Sequence, residues 1–385
     1  MSQVVNLPEL IKRDTCVLCG SNSLVSYKNL TKFPIYMGVT EQPISDDIYM
    51  DQKWAVCPDC FCLQLVGLLP LEVLYSQNHS VEAVGNIWKT HHKEFAKTLI
   101  KDSPLSVCEI GGSHGYLAKQ IISFLPDVRY LMVEPDPTIS DERIKIVKGY
   151  FEDNPKVVEG YDTIVHSHVL EHLYEPIKFL NEINKNMQDS AIMHMSIPNI
   201  NQLLLNFGSN ALNFEHTYFL TLENLGYMVA KAGFEILSVD NYINHSFFVK
   251  LKKKKIIKVD IHKTRVSNEL NLKNFDLLWN GLAQFVEETK LSIYDNPNVT
   301  TYIFGAHVFS QSLYYLGLKE CNIAGVLDNA FMKKGKRLYG TPYKVFQPET
   351  IKNLKSVRVI LKAANYQSEI RNQLIQINKN VEIIE

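Results

Sequence analysis

The segment Val107-Cys-Glu-Ile-Gly-Gly-Ser-His-Gly-Tyr-Leu117 constrains this chain more than any other. It reads as a buried strand, a glycine-rich turn and the first turn of a helix. An acid, Glu134, ends the next apolar strand (Tyr130–Glu134), 19 residues after Gly115. Small residues let a backbone approach a ligand closely, and an acid at the end of the second strand suits a ribose diol. The spacing is Glu-x-Gly-x-x-x-Gly, without the Gly-x-Gly-x-x-Gly fingerprint of dinucleotide sites.

At 385 residues the chain is too long for one core and suits two or three domains. Its 46% apolar and 21% charged residues exclude a disordered chain. A net charge of −1 provides no basic field for nucleic acid, and none is expected as a partner. The lysine run from Lys250 to Lys258 reads as a solvated connector or a protected strand edge. The N-terminal residues lack a positive segment followed by an apolar one, so no signal peptide is expected. The apolar run Val299–Leu318 is interrupted by Gly305, His307, Ser310, Gln311 and Ser312, and reads as a buried strand leading into a helix. No membrane association is expected. The expected compartment is the cytoplasm, and the seven cysteines are not expected to form a disulfide framework. Monomer and dimer both remain open.

Three blocks follow from the patterning. Residues 1–78 hold paired cysteines among short extended runs, and read as a small zinc-binding β unit. Residues 79–257 alternate apolar strands with helical stretches. The strands are Ser106–Ile110, Tyr130–Glu134, Ile144–Val147, Thr163–Ser167, Ala191–Ile197, Phe234–Asp240 and Ser246–Leu251, with helices at Gly115–Phe124 and Pro176–Met187. That alternation predicts a doubly wound α/β sheet. Residues 258–385 begin with a polar amphipathic stretch to about Asn296. A second αβ succession follows: Thr300–Phe304, a helix to Gly317, Ile323–Leu327, Val357–Leu361 and Val381–Ile384. Two Rossmann-like blocks would leave a cleft between them.

Cys16-Val-Leu-Cys19 and Cys57-Pro-Asp-Cys60 are two knuckles separated by 37 residues. Together they can complete a tetrahedral thiolate site for Zn2+. Four thiolates leave no open position, so the expected role is structural. Cys62 reads as a spare buried thiol. The glycine spacing favours S-adenosylmethionine over NAD as cofactor. Glu109 is then expected to face the methionine amino group, Gly111 and Gly115 to admit the ligand, and Glu134 to take both ribose hydroxyls. Phe151 and Asp153 follow the third strand, where an aromatic could cover adenine and an acid could take its amine. His166, Ser167 and His168 end the fourth strand at the carboxyl edge, where ligands bind in such sheets. Glu171 and His172 open the next helical stretch and read as structural more readily than catalytic.

Together these motifs resemble the sugar C-methyltransferases that act on nucleotide-linked deoxysugars. The resemblance extends over nearly the whole chain: a paired-cysteine unit, a class I methyltransferase core and a second Rossmann-like domain. In the third block it rests on Ile303-Phe-Gly-Ala306, Leu327-Asp-Asn-Ala-Phe-Met-Lys-Lys-Gly335 and Gly340-Thr-Pro342. Asn213-Phe-Glu-His216 resembles the family's Tyr-x-Glu-His element, which implies His216 as general base and Glu215 as its partner. The implied chemistry is attack on the methyl donor by an enolate, formed when the base removes a proton beside a ketone. The implied acceptor is a nucleotide sugar, held partly by the C-terminal domain, in glycan or natural-product assembly. Three positions depart from the family: Asn213 replaces its tyrosine, and Asn78-His79-Ser80 and Asn244-His245-Ser246 differ from its usual motifs. All three were expected around the sugar pocket, so O- or N-methylation of a related sugar stays open, with His79 or His245 as alternative bases. An RNA methyltransferase and a non-catalytic scaffold are the remaining readings.

Overall fold

The computed structural model describes residues 8–75, 86–255, 259–363 and 366–385. The expected domain boundaries at 78/79 and 257/258 and the candidate base His79 lie outside them.

The middle block forms one seven-stranded sheet. Its strands are β1 (Ser106–Ile110), β2 (Arg129–Glu134), β3 (Ile144–Lys148), β4 (Thr163–Ser167), β5 (Ile192–Pro198), β6 (Phe234–Tyr242) and β7 (Ser246–Lys253). The order across the sheet is β6-β7-β5-β4-β1-β2-β3. All neighbours are parallel except β7, which runs antiparallel between β5 and β6. The order reverses between β1 and β4, and that switch point opens a crevice at the carboxyl ends of these strands. β1 is buried along its whole length, so it reads as a continuous apolar run. Its odd-numbered face packs under α1 (Asn86–Leu99) and α2 (Tyr116–Phe124). The other face packs on α3 (Pro176–Asn186) and α4 (Leu222–Lys231).

The sequence places these strands to within two residues at nearly every end. The lysine run is where the reading fails. Lys250 to Lys253 belong to β7, an interior strand, and Lys252 and Lys253 pair with Glu235 and Asp189 at 3.1 Å. They match the acids of neighbouring elements and do not protect an edge.

The first block carries a three-stranded antiparallel sheet (Val25–Pro34, Tyr49–Val56, Leu63–Leu65). The third has five parallel strands, β8 (Thr300–Phe304), β9 (Gly325–Leu327), β10 (Val345–Phe346), β11 (Val357–Leu361) and β12 (Val381–Ile384), in the order β10-β9-β8-β11-β12. That is the Rossmann strand order 3-2-1-4-5 in a five-stranded sheet, the Rossmann-like block expected. Between the blocks runs α5 (His262–Asp295), 34 residues and about 50 Å long. Its buried positions 264, 268, 271, 275, 278, 282, 286, 289 and 293 recur every three or four residues, and 274 and 285 widen the same stripe.

The space between the two α/β blocks is filled in part. One hydrophobic core joins Trp54, Leu65 and Leu69 of the first block, Leu204 and Phe219 of the second, Phe275 and Leu282 of α5, and Ile303 and Val345 of the third. Asn268 donates to the Cys60 carbonyl at 2.8 Å and accepts from Asn224 at 2.9 Å, so one residue of α5 touches both neighbouring blocks. The first block is thus a wedge between the other two, with Val39–Thr40 paired to Arg337–Leu338 across a two-stranded ladder.

The turn after β1 tolerates glycine only. Gly111 and Gly115 have φ of 74° and 67°, and an added Cβ at Gly115 would lie 2.2 Å from Ile139 Cδ1. Gly115→Ala is expected to cost about 1–2 kcal/mol in urea unfolding. Gly226→Ala, on α4 with nothing within 4 Å, is expected to stabilise by up to about 1 kcal/mol. Equal effects at the two sites would contradict this account.

Candidate functional site

The crevice is built from the carboxyl ends of β1, β2 and β4. The Gly111 N–H donates to the Val133 carbonyl, which pins the turn onto β2. An added Cβ on Gly111 would lie 2.6 Å from Val169. Glu134 ends β2 at the rim, where its carboxylate accepts from the Ser113 N–H at 2.8 Å and the Asp136 N–H at 3.1 Å. Both donors are backbone, and among the described residues no cation pairs with this carboxylate. The third block repeats the arrangement with a different outcome. Asp328, after β9, accepts from the Ala306 N–H at 2.8 Å and is also clamped by Lys333 at 2.9 Å.

Glu109 lies deeper than expected. It is 2% exposed, accepts from the Tyr130 hydroxyl at 2.8 Å, and burial pushes its carboxyl up to about 7. Phe151 also lies deeper than the adenine-covering position expected of it. Its ring is 2% exposed and stands edge-on to Phe179 at 5.1 Å, inside the core rather than over the crevice. Asp153 is exposed at the end of the same 3-10 turn, free to meet a ligand. His166 is fully buried, faces Phe179 at 5.7 Å, and neither ring nitrogen has a hydrogen-bond partner. Burial lowers it to about 4, so the ring is neutral.

A second group gathers beside the crevice. The rings of His172 and His216 are 5.2 Å apart and perpendicular. Glu215 lies 3.7 Å from His172, and Glu171, His172 and His216 each present an atom within 4.8 Å of the others. Burial, reinforced by His172, pushes His216 down to about 4 despite the two carboxylates. Its imidazole is therefore neutral and holds a free lone pair at neutral pH. The Tyr75 hydroxyl reaches His172 Nδ1 at 3.4 Å, and burial raises that phenol well above its ordinary range. The structure thus brings Glu171, His172 and Tyr75 to the predicted pair Glu215 and His216. Sequence reasoning set the first two aside as structural and did not consider Tyr75. The spacing Glu171-His172 just after β4, at the carboxyl edge, was the available signal.

Asn213 does not line this group. It is 3% exposed, its Oδ1 accepts from the Glu215 and His216 N–H groups at 2.7 and 2.8 Å, and its Nδ2 donates to the Asn210 carbonyl at 2.7 Å. The side chain shapes the loop that presents His216, as asparagine does in turns. His245 joins a different group, with His91 and His168.

The four cysteines converge. The Sγ atoms of Cys16 and Cys60 are 3.6 Å apart, those of Cys19 and Cys57 3.5 Å, and all four lie within 4.8 Å of one another. Gly20 turns the first knuckle with φ 82°, and Phe61 turns the second with φ 58°. Among the described residues no helix is long and apolar enough to cross a membrane.

The chain is similar in structure to mitomycin 7-O-methyltransferase (15% identity, TM-score 0.40), sharing 47% of this chain and 62% of that one. It is also similar to human N-acetylserotonin methyltransferase in complex with S-adenosylmethionine (16%, TM-score 0.41; 48% and 59%). A third likeness is to the N,N-8-amino-8-demethyl-D-riboflavin dimethyltransferase of Streptomyces davawensis (16%, TM-score 0.37; 48% and 64%). The chain thus spans about three fifths of the length of these proteins. No curated protein matches it by sequence. Residues 82–239 match the family model described as a methyltransferase domain. Residues 82–239 therefore form a methyltransferase domain, which takes in β1 to β5 and most of β6.

Proposed function

We propose that the protein transfers a methyl group from S-adenosylmethionine to the carbon beside a ketone on a nucleotide-linked sugar. The observation that carries this reading is the neutral His216, set among His172, two carboxylates and a protonated phenol. The β1–α2 turn fits the donor. Two positive-φ glycines bring backbone close to a ligand, and Glu134 offers a carboxylate to a diol at the rim. Bound there, S-adenosylmethionine supplies an electrophilic methyl on sulfur.

The chain's own residues do the rest. His216 removes the proton beside the ketone, the C–H pair moves into the enolate, and the Tyr75 hydroxyl donates to the developing oxyanion. With the donor bound, the enolate carbon would accept the methyl group while the sulfur keeps the electron pair of the broken bond, and the proton would stay on His216. Glu215 and Glu171 stabilise the imidazolium that forms. Tyr75 supports carbon as the acceptor over a sugar oxygen or nitrogen. It offers a phenol to the site where Asn213 cannot, and a hydroxyl or amine acceptor needs no such donor. The implied sugar-nucleotide pocket would draw on the third block as well.

We also assign a structural Zn2+ to the four cysteines. A tetrahedral ion about 2.3 Å from each sulfur separates sulfurs by about 3.8 Å, close to the observed pairs. The ion would hold the knuckle that Asn268 fastens to α5.

His216→Ala is expected to lower turnover by a hundredfold or more across a panel of nucleotide-linked keto sugars, with product mass spectrometry as the assay. Affinity for S-adenosylhomocysteine should stay within a few-fold, and unchanged turnover removes His216 from the mechanism. The base must be unprotonated and burial depresses His216, so activity should stay level from pH 7.5 to about pH 5 and fall only as pH nears 4. A limb centred near 6.5 contradicts the buried, neutral base. Cys57→Ser should remove one equivalent of zinc and lower the melting temperature. Full zinc content with an unchanged melting curve refutes the four-thiolate site.

A further inference from the structure

Three imidazoles outside the proposed acid–base group converge on one point. His91 lies on α1, His168 follows β4 with φ 54°, and His245 sits in the turn between β6 and β7. One ring nitrogen of each is within 4.8 Å of the others. Their ring centroids form a nearly regular triangle, 5.3, 5.7 and 5.9 Å on its sides. A tetrahedral ion about 2.1 Å from each ring nitrogen would place imidazole centroids about 5 Å apart. The observed triangle is that arrangement, slightly expanded.

The remaining ring nitrogens are held as metal-bound imidazoles are held. His91 Nε2 meets the Ser196 hydroxyl at 2.8 Å, while its Nδ1 is fully buried and has no partner. His168 Nδ1 lies 3.0 Å from the Glu171 carboxylate, which leaves Nε2, now 3.0 Å from the Ser246 hydroxyl, to face the triangle. His245 Nδ1 meets the same Ser246 hydroxyl at 2.6 Å. Ser196 orients His91, and the Ser246 hydroxyl sits between His168 Nε2 and His245 Nδ1, a polar support of the kind that orients histidine ligands. Trp88 covers the group, with its ring 5.2, 4.7 and 4.9 Å from His91, His168 and His245. Within this group of edge-on and tilted rings, His91 Nδ1 is fully buried and has no hydrogen-bond partner among the described residues.

We propose that His91, His168 and His245 form a second metal site, distinct from the four cysteines, for a divalent transition ion of the zinc, cobalt or nickel class. Three neutral nitrogen donors select such ions over magnesium or calcium. Three protein ligands leave a fourth position for water or an oxygen ligand. The ion would tie α1 to the carboxyl edge of the sheet. Through Glu171 it would also share a carboxylate with His172 and His216. The site itself does not depend on which acceptor the enzyme methylates.

Cobalt(II) titration of the chelator-stripped full chain tests this. Two equivalents are expected, one with thiolate charge-transfer absorption from the cysteines and one with ligand-field bands alone. His91→Ala and His245→Asn should each abolish the second equivalent and keep the first. The retained thiolate band and an unchanged circular dichroism spectrum report that each variant is folded. Should His91→Ala fail to fold, His245→Asn, altered only in a turn, carries the comparison. A single equivalent in the wild type, or a second equivalent that survives in a folded variant, overturns the proposal.

Discussion

The turn from Gly111 to Gly115 has room for no side chain on either glycine, and the site is arranged around that fact. Positive φ at both ends folds the backbone sharply over the central strand. Val169 and Ile139 close the space that a Cβ would need. The turn is held to β2 by one backbone hydrogen bond, and its Ser113 N–H points at Glu134. Strand, turn and acid thus form one rigid edge, and the histidine groups stand beside it on α1, on the loop after β4, on the segment between β5 and α4, and in the β6–β7 turn. Preorganisation of this kind suits a methyl transfer, whose barrier is lowered chiefly by alignment of donor, base and acceptor.

The three blocks supply that edge with walls. Arg13 of the first block donates to the Thr217 carbonyl at 2.8 Å and the Tyr174 carbonyl at 3.2 Å, beside the loop that carries His216. Arg337 of the third block grips Asp47 of the first with two bonds of 2.6 and 2.7 Å, and the Asp47 side chain is fully buried. Losing one partner would strand a buried charge, at a cost of about 3–5 kcal/mol. Such pairs, with the shared core and α5, make the first block a spacer between the α/β blocks. A metal at the cysteines would stiffen that spacer.

Much of this was legible in the sequence. Period-two and continuous apolar runs located β1 to β7, and the knuckle spacing brought the four cysteines together. Glycine and Glu134 marked the crevice because each answers a local backbone demand. What stayed hidden depends on topology. His91, His168 and His245 lie about 77 residues apart in turn, on a helix, a loop and a hairpin, and meet only because the parallel order brings those ends to one edge. Tyr75 ends a short segment with no motif of its own. Phe151 and Asn213 are both buried, which their types did not reveal: a residue type that suits a ligand also suits a core or a turn, and only burial separates the two. The lysines of β7 misled because a charge run gives no sign that its acidic partners come from other elements.

The central claim is that the crevice after β1 holds S-adenosylmethionine, with Glu134 on the ribose. Calorimetric titration with S-adenosylhomocysteine of the wild type and of Glu134→Gln tests it most directly. The account predicts saturable one-to-one binding, weakened at least tenfold in the variant while the fold is unchanged. No binding to the wild type, or equal affinity in both proteins, would contradict it.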